Sequence, residues 1–118
     1  MKNNIGTGQS GELIAKEYLI DKGYNILESN YRNKIGEIDI IAMDRDILVF
    51  VEVKTRRDYS YGYAFEAVNL KKQRKIINTS MVYIKYKRLI NVQLRYDIIE
   101  VYLTKTLKIN HLDNAFCL

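Results

Sequence analysis

Two apolar segments set the architecture of this chain: Gly36-Glu37-Ile38-Asp39-Ile40-Ile41-Ala42 and Leu48-Val49-Phe50-Val51-Glu52-Val53-Lys54-Thr55-Arg56. Both are rich in Ile and Val, which favours β-strands, and the Asp44-Arg45-Asp46 stretch between them predicts a hairpin turn. Each segment also carries ionisable side chains, and burying a charge without a partner or a metal costs free energy. The hairpin is therefore the first candidate for a functional site.

The charged positions of the hairpin follow a period of two. Side chains alternate across a strand, so Glu52 and Lys54 share one face of the second strand, and Glu37 and Asp39 share one face of the first. If the strands are neighbours, Asp39, Glu52 and Lys54 converge. Two carboxylates and an ammonium at one spot can hold a divalent cation and act on a phosphodiester. We interpret Glu37 as a solvent-side residue outside this site.

The remaining periodicity predicts helices and strands around the hairpin. Alternating helices and strands favour a mixed-sheet α/β domain, and the 118 residues suit one domain over 1–118. The tyrosine-rich passage around Tyr59, Tyr61 and Tyr63 predicts a loop that packs on its own domain rather than on unpaired bases. The other predicted elements are a helix over 11–22 between Ser10 and Gly23, a strand over 24–31, a helix over 70–86 capped by Asn69 with Ile77, Met81 and Ile84 on one face, a strand over 94–103, and a short helical turn or ordered strap over 111–118.

Composition limits the class of protein. The only cysteine, Cys117, excludes an intrachain disulfide and a cysteine–histidine zinc cluster, so any metal would be held by oxygen, which points to Mg²⁺ or Mn²⁺. No apolar stretch is long enough to cross a bilayer, and residues 1–4 lack the apolar core of a signal peptide, so we expect a cytoplasmic protein.

Basic residues are concentrated in one window. The formal net charge is +5, and no acidic residue occurs from Ala67 through Tyr96. Such a window is either a solvated helix face or a phosphate-binding surface. Its basic residues are Lys71, Lys72, Arg74, Lys75, Lys85, Lys87, Arg88 and Arg95.

An ordered series of motifs resembles a known family. Through these motifs the chain is similar to the YraN-type family of small bacterial proteins. That family resembles archaeal Holliday junction resolvases and the PD-(D/E)xK nuclease-like superfamily. Leu70 is a departure, because the family often has proline there, and it affects only the helix start. The series covers nearly the whole chain and comprises Gly8, Gly11-Glu12, Tyr18-Leu19, Gly23-Tyr24, Asn30-Tyr31-Arg32, the two hairpin segments, Ala67-Val68, Lys72, Arg95-Tyr96-Asp97, His111 and Asn114-Ala115-Phe116.

The resemblance implies a restriction-endonuclease-like α/β sandwich, with a mixed central sheet flanked by helices and the site on the central hairpin. It identifies Asp39 as the metal-binding aspartate, Glu52 and Lys54 as the Glu-x-Lys pair, and Glu12 as the acid of the first helix. Asp39, Glu52 and Glu12 would hold the metal, and Asp39, Glu52 and Lys54 would be the catalytic residues. Resolvase-like relatives further imply a homodimer.

The resulting hypothesis is a magnesium-dependent endonuclease acting on DNA, with branched or structured DNA as a candidate substrate. Lys54 would orient or deprotonate the attacking water and offset charge on the pentacovalent phosphate. Arg56, on the same strand face as Lys54, is a candidate phosphate clamp. Lys71, Lys72 and Lys75 are candidate nucleic-acid contacts from the basic window.

Alternatives stay open for the residues and for the whole protein. Glu12, in the first turn of the predicted helix, could serve only to favour the helix dipole, and His111 fits a structural hydrogen bond better than a general base. Glu52 and Lys54 could form a plain ion pair at a sheet edge. The domain could instead be a non-catalytic nucleic-acid-binding module, or a protein-interaction domain, that keeps the nuclease fold.

Overall fold

A five-stranded mixed sheet forms the centre of the protein. The computed structural model describes residues 7–57 and 68–117. The strands lie in the order β1-β2-β3-β4-β5, and neighbours are antiparallel except for the parallel pair β3 and β4. The elements in chain order are α1 (Thr7–Asp21), β1 (Asn25–Arg32), β2 (Glu37–Asp44), β3 (Ile47–Arg56), α2 (Leu70–Tyr86), β4 (Gln93–Tyr102) and β5 (Lys108–Phe116).

Helices cover both faces of the sheet. Buried residues of α1, including Leu19, pack with Val49 and Val51 on one face, and Ile76 of α2 packs with Phe50 on the other. A strand that is buried on both faces has a continuous apolar sequence, which explains the unbroken Val and Phe run of β3. The predicted α/β fold, with a mixed central sheet between helices, is confirmed.

The central hairpin is also confirmed. β2 and β3 pair antiparallel from Asp44 opposite Ile47 to Ile40 opposite Val51. Arg45 in the turn has a φ of 57°, which lies in the left-handed region. The backbone pairing of β2 with β3 ends at Ile40 and Val51, one residue before Asp39 and Glu52.

The helices agree with the predictions in part. α2 spans Leu70–Tyr86 as expected, and the side chain of Asn69 caps it by accepting the Lys72 N–H at 2.9 Å. α1 begins at Thr7, so Ser10 lies inside this helix and the prediction that it caps the helix was wrong. Met81 is exposed, because the buried face of α2 runs through Ile76, Ile77, Thr79, Ser80 and Tyr83.

The end of the chain differs from its prediction. Residues 108–116 form strand β5 instead of a helical turn. A spacing of four, as between Leu112 and Phe116, also fits alternate positions of a strand, and pairing with β4 decides the outcome. The predicted loop around Tyr59, Tyr61 and Tyr63 lies outside the described residues.

Neither helix within residues 7–57 and 68–117 has the length and apolar character that crossing a membrane requires.

A buried polar network fastens β5 to the sheet. Asp97 is fully buried and accepts hydrogen bonds from Arg95 Nε and the Asn114 N–H, and its other oxygen lies 2.7 Å from His111 Nε2. His111 Nδ1 lies 3.1 Å from the Tyr18 hydroxyl on α1. The predicted structural role for His111 agrees with this position. The network ties α1, β4 and β5 together in the interior.

A second buried carboxylate on β4, Glu100, is satisfied in a similar way. It is 1% exposed, and its Oε2 lies 3.2 Å from Arg56 Nε. Its Oε1 accepts hydrogen bonds at 3.0 Å from the Tyr102 hydroxyl and from Asn110 Nδ2. Buried charges of this kind belong to the scaffold, because each has its donors in place.

Asp97→Asn should destabilise the protein and weaken the pH dependence of its free energy of unfolding in the acid range. Burial alone would raise the pKa of Asp97, but hydrogen bonds from His111, Arg95 and the Asn114 N–H outweigh it and hold the pKa below 3.8. Because the unfolded carboxyl has the higher pKa, the stabilisation is complete above about pH 5 and is lost as the pH falls through the folded pKa. We expect a loss of about 3 kcal/mol at pH 7, measured by urea unfolding.

Asp113→Asn, at an exposed position on the neighbouring strand β5, is the matched control and should leave the unfolding midpoint unchanged. Equal midpoints for Asp97→Asn and Asp113→Asn across pH 3–7 would contradict the structural role of the network.

Candidate active site

Three acidic side chains from three different elements meet beside the open end of the hairpin. Glu12 comes from α1, Asp39 from β2 and Glu52 from β3, and all three line one pocket. The sequence pattern predicted that Asp39 and Glu52 meet, and the structure brings them together. The other lining residues are Glu37, Val53, Thr55 and Lys72.

The position of Asp39 depends on the separation of the two strands. Beyond the last backbone pair, Asp39 Oδ2 accepts a hydrogen bond from the Val53 N–H at 2.8 Å. A side-chain oxygen of β2 thus accepts the β3 hydrogen bond that a backbone carbonyl would accept in a continuous ladder. The pocket opens at this point because the strands are joined there by a side chain instead of a ladder.

The side-chain alternation of β2 is interrupted at the same residue. Ile38 packs in the cluster under α2, whereas Ile40 packs in the cluster under α1, although strict alternation would put both on one face. Asn30 of β1 lies between the pairs that flank Asp39 and has a φ of 52°. A distortion of this kind re-aims a strand side chain, as β-bulges next to active sites do.

A close contact between α1 and β3 positions Glu12. Gly11 is buried, and a Cβ there would overlap the Thr55 hydroxyl and stand 3.1 Å from Thr55 Cβ. Only glycine lets the helix approach the strand this closely. Glu12 lies five residues after Thr7, beyond the first turn, so the helix-dipole alternative considered for it is not supported.

Two ammonium groups face a single oxygen of Glu52. Lys54 Nζ lies 3.5 Å and Lys72 Nζ lies 3.4 Å from Glu52 Oε2. Glu52 is buried, whereas the side chain of Lys54 is 28% exposed and that of Lys72 is 45% exposed. Glu52 and Lys72 line the pocket, whereas Lys54 is not one of its lining residues and lies beside it through its contact with Glu52. The Glu-x-Lys pair therefore has a second lysine, from α2.

Burial, together with the charge of neighbouring acids, raises the pKa values of all three carboxylates. Burial raises the pKa of Asp39 to about 6, repulsion from Glu12 adds to the rise, and the Val53 N–H opposes it. Burial also raises the pKa of Glu52, and repulsion from Asp39 adds to the rise, whereas the ammonium groups of Lys72 and Lys54 lower this pKa. Burial raises the pKa of Glu12, a hydrogen bond with Asp39 opposes the rise, and repulsion from Glu52 and Glu37 adds to it. Repulsion of this kind is a property of clustered carboxylates.

The carboxylate oxygens of the three acids are chemically suited to bind a hard divalent cation. Carboxylate oxygens are the ligands that Mg²⁺ and Mn²⁺ prefer, and a cation would relieve the repulsion. Among residues 7–57 and 68–117, however, no three acid, histidine or cysteine side chains already surround a common point where a metal could sit. The acids would therefore have to turn toward one another to enclose a cation.

The other predicted contact residues lie at varied distances from the pocket. Arg56 is paired with buried Glu100 and only 12% exposed, which favours a structural role, and its contact with phosphate stays a prediction. Lys71 and Lys75 are exposed on the first turns of α2. Glu37 lines the pocket after all, although its carboxylate is largely exposed and lies 3.5 Å from Arg32 Nη2.

Sequence reasoning missed two features of the site. Lys72 was expected only as a surface contact, and no local pattern connects it to Glu52, which lies 20 positions away in the chain. Asn30, which hydrogen-bonds Glu12, gave no periodic signal. A positive φ is more frequent for asparagine than for most residues, so a lone Asn inside a predicted strand was the available clue.

Asp39→Asn should stabilise the metal-free protein at neutral and alkaline pH. The folded pKa of about 6 exceeds 3.8, so wild-type stability falls as the pH rises through that window, and the penalty is complete above it. The amide keeps an acceptor for the Val53 N–H. We expect a gain on the order of 2 kcal/mol at pH 8 that disappears near pH 4, measured by chemical unfolding in EDTA.

Asp46→Asn, in the exposed hairpin turn, is the matched control and should show no such pH-dependent gain. A destabilised Asp39→Asn at pH 8 would show that Asp39 is a scaffold carboxylate.

Comparison with known proteins gives close relatives of this chain. A UPF0102 protein of Clostridioides difficile is 51% identical over 114 residues, which cover 97% of this chain and 99% of the relative. A UPF0102 protein of Alkaliphilus metalliredigens is 50% identical over 109 residues, covering 92% and 96%. A third, from Caldanaerobacter subterraneus, is 50% identical over 118 residues and covers 97% of both chains.

Among solved structures, SfsA of Pyrococcus furiosus in complex with Ca²⁺ covers 90% of this chain and 61% of its own, at 13% identity and a TM-score of 0.33. A likeness at this level carries no argument about function. Residues 11–101 match the family described as "Uncharacterised protein family UPF0102", which confirms the YraN-type resemblance. The chain belongs to the UPF0102 family.

Proposed function

We propose that the protein is a metal-dependent endonuclease that hydrolyses phosphodiester bonds in DNA, with branched or structured DNA as its candidate substrate. The observation that carries the proposal is the meeting of Glu12, Asp39 and Glu52 in one pocket, with Lys54 and Lys72 on one Glu52 oxygen. Repelling carboxylates beside ammonium groups, in a pocket open to solvent, are typical of a site built to receive a cation and an anion together.

Glu12, Asp39 and Glu52 would hold the cation, which is Mg²⁺ or Mn²⁺ by the oxygen character of these ligands. When bound, such an ion supplies Lewis acidity to a phosphate oxygen and to water. The Val53 N–H fixes one oxygen of Asp39, so its other oxygen is the one that remains for a ligand. The buried position of Glu52 excludes much of the water that would otherwise screen the site.

Lys54 supplies the proton chemistry in this mechanism. Its ammonium is held 3.5 Å from Glu52 Oε2 and is partly exposed, so Nζ can reach a water molecule in the pocket. There the ammonium would orient the attacking water by donating a hydrogen bond to it and would offset the charge that grows on the phosphate oxygens, and it could take up the proton of that water only after giving one of its own to solvent. An arginine at this position would donate hydrogen bonds but would hardly accept a proton.

The first turns of α2 offer a surface for the phosphate backbone. Lys71, Lys75 and Arg74 are exposed there, next to the pocket that Lys72 borders. Clustered cations attract a polyanion through counterion release, and the binding falls with added salt. A homodimer, as the resemblance to resolvases implies, would present two such surfaces to a branched substrate.

One observation favours a second candidate function. The described acids do not yet surround a common point, so a domain that keeps them apart would bind nucleic acid through α2 without cutting it. Salt-sensitive binding of DNA that is not accompanied by metal-dependent turnover would identify this non-catalytic module.

Cleavage of branched, flapped and linear DNA with Mg²⁺ or Mn²⁺ tests the endonuclease. Asp39→Ala removes a metal ligand and Lys54→Ala removes the proton-handling group, so each should lower the cleavage rate by about a hundredfold or more. The measurement is single-turnover cleavage of labelled DNA, with chelation of the metal as a parallel arm.

Asp46→Asn serves as the matched control, because it removes a carboxylate from the same hairpin at a distance from the pocket, and it should cleave like the wild type. Equal cleavage by the wild type, Asp39→Ala and Lys54→Ala would indicate a contaminating nuclease and overturn the proposal.

A further inference from the structure

Lys72 stands in a position that helix formation does not favour. It is the third residue of α2, where the helix dipole favours acidic side chains, and the first turn contains none. The helix start is already capped by Asn69, so the Lys72 side chain is not needed there. Its ammonium instead reaches across to β3 and lies 3.4 Å from Glu52 Oε2.

The same oxygen of Glu52 also faces Lys54 at 3.5 Å. Two ammonium groups therefore already neutralise the oxygen that a metal would use. A divalent cation that approaches Glu52 must displace one of them, since like charges at this distance repel. Lys72 is the more exposed of the two, at 45% against 28%, and it comes from a separate element on a long, flexible stem.

We propose that Lys72 is a positioning residue. In the metal-free protein its ammonium occupies the place beside Glu52 Oε2 that a divalent cation would take, and when the cation binds this ammonium moves to the phosphodiester. The inference rests on the proposed function and adds a coupling between the two ligands. In the metal-free site Lys72 lowers the repulsion among Glu12, Asp39 and Glu52. In the loaded site, which holds a divalent cation, the ammonium of Lys72 contacts the substrate anion instead.

Charge balance supports the exchange. Glu37, the fourth acid that lines the pocket, lies 3.5 Å from Arg32 Nη2, which balances its charge. The other three carboxylates, when ionised, and the two ammonium groups sum to one negative charge, which would repel a phosphate. With a divalent cation among the acids the sum becomes one positive charge, which matches a single phosphodiester. Because Lys72 leaves Glu52 only in the loaded site, metal and substrate should each strengthen the binding of the other.

Manganese binding by Lys72→Gln tests the first half of the inference. Removing the competing ammonium should tighten Mn²⁺ binding by about three- to tenfold, as calorimetry of DNA-free protein would measure. Lys71→Gln is the matched control: it loses the same charge one residue away, on an exposed side chain, and should leave the Mn²⁺ affinity within about twofold of the wild type.

DNA binding in Ca²⁺, with EDTA as the metal-free arm, tests the second half. Wild-type affinity for a short branched DNA should rise more on addition of Ca²⁺ than that of Lys72→Gln, by about three- to tenfold. Equal Mn²⁺ affinity in the wild type and Lys72→Gln, or an equal rise with Ca²⁺, overturns this inference and leaves the endonuclease standing. A wild type that binds no Mn²⁺ overturns both.

Discussion

The hydrogen bond from the Val53 N–H to the Asp39 carboxylate is the interaction on which the candidate site depends. It joins β2 to β3 where their backbone pairing has ended, so the hairpin stays attached while its end opens. Below this point the strands form an ordinary two-sided core. Above it, the separation leaves room for Glu12 from α1 and for Lys72 from α2.

The protein contains two kinds of buried acid that sequence alone does not separate. Asp97 and Glu100 also interrupt an apolar strand, and the argument that buried charge indicates function applies to them equally. The structure gives them full sets of donors, and the pKa of Asp97 is lowered as a result. Asp39 and Glu52 are buried without such full sets of donors, so burial, together with repulsion from neighbouring acids, raises their pKa values. The sign of the shift separates scaffold from candidate site.

Prediction from sequence succeeded where local chemistry decides the structure. The hairpin and the full extent of α2 follow from turn residues, periodicity and the Asn69 cap. It failed where tertiary contacts decide: β5 is a strand because it pairs with β4, and the spacing of Leu112 and Phe116 fits either conformation. In the site, Asp39 and Glu52 follow from the register of one hairpin. The contact of Lys72 does not, because it depends on the docking of a helix from a distant part of the chain.

The parallel pair of β3 and β4 also determines when the site can exist. The hairpin of β2 and β3 involves neighbours in sequence and can form early, whereas α2 is fixed only once the crossover returns the chain to β4. Glu12 likewise arrives only when α1 docks on β3. A nascent or partly unfolded chain thus holds the Glu-x-Lys pair but not the pocket that Glu12, Asp39 and Glu52 line, and this pocket is complete only when the last long-range contacts have formed.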